Sequence, residues 1–244
     1  MMAHGFTQTG RVWGTMDADL AVDHQVVTVD MPGHGGSAQV EATLAEGGRL
    51  LGETGGRGAY LGYSMGARFT LHLALDRPDL VESLVLISGT AGIDDAGERR
   101  KRRLSDQAVA DGLDPPDGRP AVPVATFVRR WLEGPLFAGI PAEAAGVDER
   151  ERNSGAGLAS SLRLAGTGTQ QPLWGALGGL AMPVLVVTGA LDSTYTGLGR
   201  RLARGIGANA THVVVPGAGH APHLQVPADV AGLVRDHLSR TAGG

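Results

Sequence analysis

One pentapeptide constrains this chain more than any other feature. Gly62-Tyr63-Ser64-Met65-Gly66 has the pattern G-x-S-x-G, with the apolar run Ala59–Gly62 leading into it and the amphipathic stretch Ala67–Leu75 following. A chain that turns from a buried strand straight into a helix at a serine holds that serine strained, with its hydroxyl exposed. Bulky side chains two residues to either side would collide across so sharp a turn, and glycines stand there. The backbone N–H of Met65, at the helix start, then points at negative charge developing beside Ser64. A serine in an ordinary glycine-rich turn needs neither flank.

The same alternation of strand and helix runs through much of the chain. Val26–Asp30, Ser83–Ser88, Pro183–Gly189 and His212–Pro216 are short runs rich in Val, Leu or Ile, most of them closed by Gly, Asp or Ser. Continuous apolar runs suit parallel strands buried on both faces. Helix-like segments, Thr196–Gly205 and Val226–Ser239, lie between and after them. The pattern predicts an α/β fold with a mostly parallel, doubly wound sheet. From about Gly92 to Leu180 the rhythm breaks. This stretch holds the charged run Glu98–Arg103, the Pro-rich segment Asp114–Pro123, and the pieces Phe127–Leu132 and Asn153–Gly168. It reads as a mostly helical lid, residues 92–180, inserted into a core made of residues 1–91 and 181–244.

Two further residues complete a constellation with Ser64. Asp192 follows the strand Pro183–Gly189, and His220 follows His212–Pro216. Both fall at C-terminal strand ends, the edge where open α/β sheets place their ligand sites. The order Ser, acid, His is that of a nucleophile-elbow triad. In it Asp192 orients His220 and stabilises its charged form, and His220 deprotonates Ser64. An isolated Asp or His in a loop carries little meaning; three in this order at three strand ends carry much more. His4-Gly5-Phe6 reads as the oxyanion loop, with the Phe6 N–H as the second donor beside Met65. His4 and His34 read as loop-holding residues rather than chemical ones. Arg68, one helical turn beyond Ser64, is placed to face the site. His220 and His223 are three residues apart, but no third ligand stands near them, so no metal is expected. The triad and oxyanion hole suffice without a cofactor.

The absence of cysteine excludes disulfides and thiol catalysis. The first ten residues lack a signal-peptide pattern, and no apolar run reaches membrane-helix length. A cytoplasmic protein without a membrane span is therefore expected. A net charge of −4 argues against nucleic acid as the main partner. The short run Arg99–Arg103, flanked by Glu98 and Asp106, reads as a solvated helix face with one or two arginines turned inward. Oligomeric state is not legible.

Taken together, these residues resemble the α/β-hydrolase superfamily over almost the whole chain. Within it the sequence is similar to the 2-succinyl-6-hydroxy-2,4-cyclohexadiene-1-carboxylate synthases of menaquinone biosynthesis. The likeness rests on His4-Gly5-Phe6-Thr7-Gln8-Thr9-Gly10, Asp30-Met31-Pro32-Gly33-His34-Gly35 and Gly62–Arg68. In the insertion it rests on Glu98–Asp106, on Trp131 with Pro135-Leu136-Phe137, and on Gly157–Leu162 through Gly166–Gly168. The resemblance implies a lyase that takes a proton from a succinyl-bearing cyclohexene carboxylate and eliminates pyruvate. It places Tyr63, Arg68, Arg102 and Trp131 at a small anionic substrate, a role arginine suits through its paired donors. An esterase or carbon–carbon hydrolase for a small carboxylated substrate uses the same triad and is the alternative. A non-catalytic ligand-binding module is the third reading. Two departures stand out. Only Met1-Met2-Ala3 precedes His4, so the N-terminal strands are expected to be shortened or lost. Ser193-Thr194-Tyr195 replaces a lysine–aromatic pairing common in the family after the acid.

Overall fold

The computed structural model describes residues 1–241. Six strands, β1 (Met2–Ala3), β2 (Thr28–Val29), β3 (Gly58–Tyr63), β4 (Val81–Ile87), β5 (Val184–Gly189) and β6 (Ala210–Val215), form one sheet in the order β2-β1-β3-β4-β5-β6. Every neighbouring pair is parallel. The expected mostly parallel sheet is thus wholly parallel among the described residues. All six residues of β5 are buried, as a strand covered on both faces requires.

Helices cover both faces. On one side α2 (Leu44–Gly55), α3 (Met65–Asp76) and α8 (Ser193–Ile206) enclose a core that includes Met31, Phe69, Leu84, Leu86, Val186 and Leu202. On the other, α1 (Met16–Leu20), α9 (Pro222–Gln225) and α10 (Pro227–Thr241) cover Leu61, Val85, Ile87, Leu185 and Val187. The alternation of strand residues between the two clusters is the period-2 rule of a pleated sheet.

One sequence expectation holds and one needs correction. The strand before His4 is shortened but not lost: Met2 and Ala3 pair with β2 on one side and β3 on the other, inside the sheet. The expected strand Val26–Asp30 contracts to Thr28–Val29, because its only partner offers two residues to pair with. Helix α2 escaped the sequence reading altogether. Three glycines, Gly47, Gly48 and Gly52, depress its helix propensity. They let it lie close to α3: a Cβ on Gly47 would sit 2.3 Å from the Phe69 ring. A capping box between Thr43 and Glu46 starts it.

Between β4 and β5 the chain forms α4 (Ala96–Leu113), α5 (Val124–Leu132), α6 (Val147–Glu151) and α7 (Gly155–Ala165). Where this segment leaves and rejoins the sheet, Leu173 N–H donates to Ala91 O (2.7 Å) and Trp174 Nε1 to Gly92 O (3.0 Å). Its own small core, Ala110, Leu113, Leu158, Ala159 and Leu162, packs against Phe6. No helix of the described residues is long and apolar enough to cross a membrane.

Candidate active site

Ser64 sits at the C-terminal end of β3 with φ 51° and ψ −103°, outside the regions that suit an L-residue. Such a conformation costs on the order of 1–3 kcal/mol and persists because the surroundings enforce it. Ser64 N–H donates to Ile87 O at 2.9 Å, tying the turn to β4. The flanking glycines are obligatory. A Cβ on Gly66 would lie 1.9 Å from Ala3 O, and one on Gly62 2.5 Å from Ala67 N.

The loops after β5 and β6 bring the two partners. His220 Nε2 lies 3.1 Å from Ser64 Oγ, and His220 Nδ1 lies 2.9 Å from Asp192 Oδ2. The other oxygen of Asp192 accepts the Tyr195 N–H at 3.0 Å, so the carboxylate also caps α8. Burial alone would raise the Asp192 carboxyl. The hydrogen bonds from His220 and the backbone of α8 outweigh it and hold the group below the usual carboxylate range. Asp192 is therefore ionised at neutral pH and fixes the Nδ1–H tautomer of His220, which leaves Nε2 free to accept the Ser64 proton.

The other N–H expected to face Ser64 lies on the loop after β1. Gly5 N–H is bound by Gln8 Oε1 (2.7 Å) and Thr7 N–H by His34 Nε2 (3.2 Å). Between them Phe6 N–H makes no hydrogen bond among the described residues, and neither does Met65 N–H. His4 and His34 brace the loop. His4 Nε2 accepts Met31 N–H at 3.0 Å while Nδ1 meets Gly5 O at 2.8 Å, and His34 Nδ1 meets Pro32 O at 3.0 Å. Each ring must accept at Nε2 and donate at Nδ1, so each is neutral. Burial pushes His34 down to about 4, and burial with the nearby His34 ring pushes His4 well below its usual value.

Thr7, on the same loop, also has a positive φ, 69°. Two residues from the inserted segment grip it. Arg150 Nη1 donates to Thr7 Oγ1 and its Nε to Ala145 O. Asn153 Nδ2 donates to Thr7 O (2.8 Å), while its Oδ1 accepts Gly35 N–H (2.9 Å). Arg150 is only 1% exposed, and burial lowers it to about 10, so it remains cationic at neutral pH.

Above Ser64 lies a cavity of about 380 Å³. Phe6, Tyr63, Ser64, Met65, Arg68, Arg102 and Trp131, all expected at the site, line it. One wall is aromatic, with Phe6 and Phe137 against Trp131 at ring-centre distances of 5.3 and 5.9 Å. The other is cationic. Arg68 is buried, donates to Ala165 O at 2.6 Å and is lowered to about 10 by burial, so it stays charged. Arg102 stands at the half-exposed rim and gives its Nε to Asp106 at 2.7 Å. Tyr63 is buried under the site, its ring 4.2 Å from that of His223 and 5.5 Å from that of His220. A larger cavity, about 460 Å³, opens at the opposite ends of the strands, between Met1, Tyr60 and Val234. It brings no serine, histidine and carboxylate together, so size does not select the site.

Sequence reasoning missed Asp106, Tyr195, Arg150 and Asn153. Asp106 and Tyr195 line the cavity. The other two hold Thr7, on the loop after β1, from 143 and 146 residues away. A single sequence carries no sign of contacts at that separation.

Comparison with known proteins agrees with this architecture. The alpha/beta hydrolase family matches residues 1–233. The 2-succinyl-6-hydroxy-2,4-cyclohexadiene-1-carboxylate synthase of Serratia proteamaculans (strain 568) is 30% identical, over 96% of this chain and 91% of its own length. A synthase of the same name from Enterobacter sp. (strain 638) is 30% identical over 96% of this chain and 89% of its own length. The solved structure of MenH from S. aureus superposes with a TM-score of 0.89 at 26% identity, covering 99% of this chain and 93% of that one. The chain is an enzyme of the alpha/beta hydrolase family and resembles its 2-succinyl-6-hydroxy-2,4-cyclohexadiene-1-carboxylate synthases.

Proposed function

We propose that this protein is a lyase of menaquinone biosynthesis, which eliminates pyruvate from a cyclohexene carboxylate that bears a succinyl group. The observation that carries the reading is the pairing of the Ser64–His220–Asp192 chain with two arginines, Arg68 and Arg102, around one cavity. An esterase for neutral esters has no use for a charge as deeply buried as Arg68, whose desolvation is costly without an anion to meet.

Residues 92–180 act as the lid and the remainder as the core. Arg68 and Arg102 hold the substrate carboxylates, Trp131 and Phe6 cover the ring, and Tyr63 forms part of the cavity floor. His220 takes the Ser64 proton, and the Ser64 oxygen removes a proton from the ring. The electron pair of that C–H bond passes through the succinyl enolate into a new ring double bond as the C–O bond to the leaving group breaks, and the departing enolate takes back the proton held by His220 and becomes pyruvate. Charge gathered on the succinyl carbonyl oxygen meets the N–H groups of Phe6 and Met65, an arrangement worth roughly 3–4 kcal/mol per donor in related holes. Asp192 stabilises the imidazolium through the proton transfer.

The test is pyruvate release from the freshly generated intermediate, measured against its spontaneous elimination. Wild type should accelerate release, and Ser64→Ala should lose at least about 10³-fold in kcat with an unchanged melting temperature. Cleavage of p-nitrophenyl acetate without pyruvate release would keep the triad and move the protein to the hydrolases.

A further inference from the structure

Tyr195 has no role in anything described so far except through its backbone. Its N–H holds Asp192. Its ring stands edge-on to His220, with centres 4.3 Å apart and planes at 66°. A phenylalanine would do both. The hydroxyl, which a phenylalanine lacks, makes no hydrogen bond to the described residues, and the residue is only half-buried and opens onto the cavity. Tyr195 lines the cavity together with Ser64, Arg68 and Arg102.

We propose that Tyr195 is a further substrate-binding residue, whose phenolic O–H donates to a carboxylate of the substrate held by Arg68 and Arg102. This rests on the anionic-substrate reading above. A neutral donor that opens onto the cavity near two guanidinium groups is placed to meet an acceptor that is itself negative. An ester carbonyl would not need three donors of this kind; a carboxylate, with about four lone-pair directions, accepts them all. Burial raises the phenol above its ordinary value, while the nearness of Arg68 and Arg102 pulls the other way. The net rise keeps the hydroxyl protonated, and so a donor, throughout the neutral range. The fixed backbone of the Asp192 cap and the ring contact with His220 leave the side chain little freedom, so little ordering remains to be done on binding.

The experiment compares Tyr195→Phe, Tyr195→Ala and Arg68→Ala for steady-state pyruvate release, and for the affinity of succinate as a dicarboxylate probe by calorimetry. Tyr195→Phe keeps the ring and the cap. It should raise KM about tenfold and weaken succinate similarly, with kcat within about twofold of wild type, as expected for losing one hydrogen bond to a charged group. Tyr195→Ala should add a fall in kcat, because His220 loses its neighbour. Unchanged KM and succinate affinity in Tyr195→Phe, alongside clear losses in Arg68→Ala, would overturn the proposal and leave the anionic-substrate reading intact. A fall in kcat alone would overturn it too, since the residue would then act only through His220. If Arg68→Ala also binds and turns over normally, the anionic reading itself fails and Tyr195 falls with it.

Discussion

The two sides of the cavity are made in different ways. Ser64, Met65 and Phe6 come from the sheet and its loops. Their positions follow from backbone contacts: a strand end, a tight turn, a glycine against Ala3 O, and histidines bonded to main-chain groups. Arg102, Trp131 and Phe137 come from the segment between β4 and β5. There the holding bonds are side-chain bonds between charged groups, Arg102 with Asp106, and Arg163 with Asp111 and Asp114. The first kind of wall fixes Ser64 within hydrogen-bond distance of His220, the precision that a proposed proton transfer between them needs. The second is the kind that can be altered residue by residue to suit another substrate without disturbing the first. Arg150 and Asn153 are where the two walls are joined.

Acid should separate the walls most strongly. His4, His34 and His223 are buried, and burial lowers all three, His34 to about 4 and His223 to about 3. The unfolded chain takes up these protons near pH 6.5, and the folded chain only near 4 or below. Between those values the unfolded state binds more protons, so stability is full above about pH 6.5 and falls as the pH drops towards 4. At about 1.4 kcal/mol per unit, His34 alone accounts for on the order of 3 kcal/mol. Thr7 and Met31 amides donate to His34 and His4 and lose those acceptors on protonation. Denaturant melts at pH 7 and 4.5, with hydrogen exchange, should show the oxyanion loop opening before α4 and α7. Equal stability at the two pH values would mean that these rings are charged in the native protein.

The junction is the next place to strike. Arg150→Met keeps volume but removes both donors, so Thr7 loses one of the two residues that hold its strained turn. Turnover should fall about 10²-fold, the scale of a misplaced group about 1 Å from its working position. KM should move far less, because Arg68 and Arg102 are untouched. Arg150→Lys, which restores a donor, should recover part of kcat. A rise in KM with normal kcat would place Arg150 among the substrate contacts instead.

Local backbone constraints leave marks in a sequence, and long-range side-chain contacts leave none. Gly62 and Gly66 are legible because the elbow admits no side chain there. Asp192 and His220 are legible because chain order and strand ends place them. Thr43 and Glu46 announce α2, yet glycines that serve its packing on α3 hide it. Met2–Ala3 is too short to show a strand period, and only its two neighbours make it one. Arg68, Arg102 and Trp131 came into view by spacing or by family resemblance. Arg150 and Asn153 had neither aid: Thr7 and Gly35 lie on other elements, and only the folded chain brings them together. Asp106 stands four residues from Arg102 on α4, and Tyr195 three from Asp192, but neither spacing says that the side chain lines the cavity.

The smallest effect should come from Asp106, which touches both the rim arginine and the backbone of Gly168. Its Oδ1 accepts Arg102 Nε at 2.7 Å and its Oδ2 accepts Gly168 N–H at 3.1 Å. With Nε bound to Asp106, the two terminal nitrogens of the Arg102 guanidinium make no hydrogen bond among the described residues and can meet an anion. Asp106→Asn retains an acceptor for Gly168 but removes the charge that orients Arg102. It also leaves the cavity more cationic, which favours an anion and offsets part of the loss. The net change should be a rise in KM of about three- to fivefold with kcat preserved. In the Arg102→Ala background the same substitution should do almost nothing, because residues that act through one another are not additive. An equal effect in both backgrounds would show that Asp106 serves the Gly168 turn and not Arg102, and the two walls would then share one more structural seam instead of a recognition device.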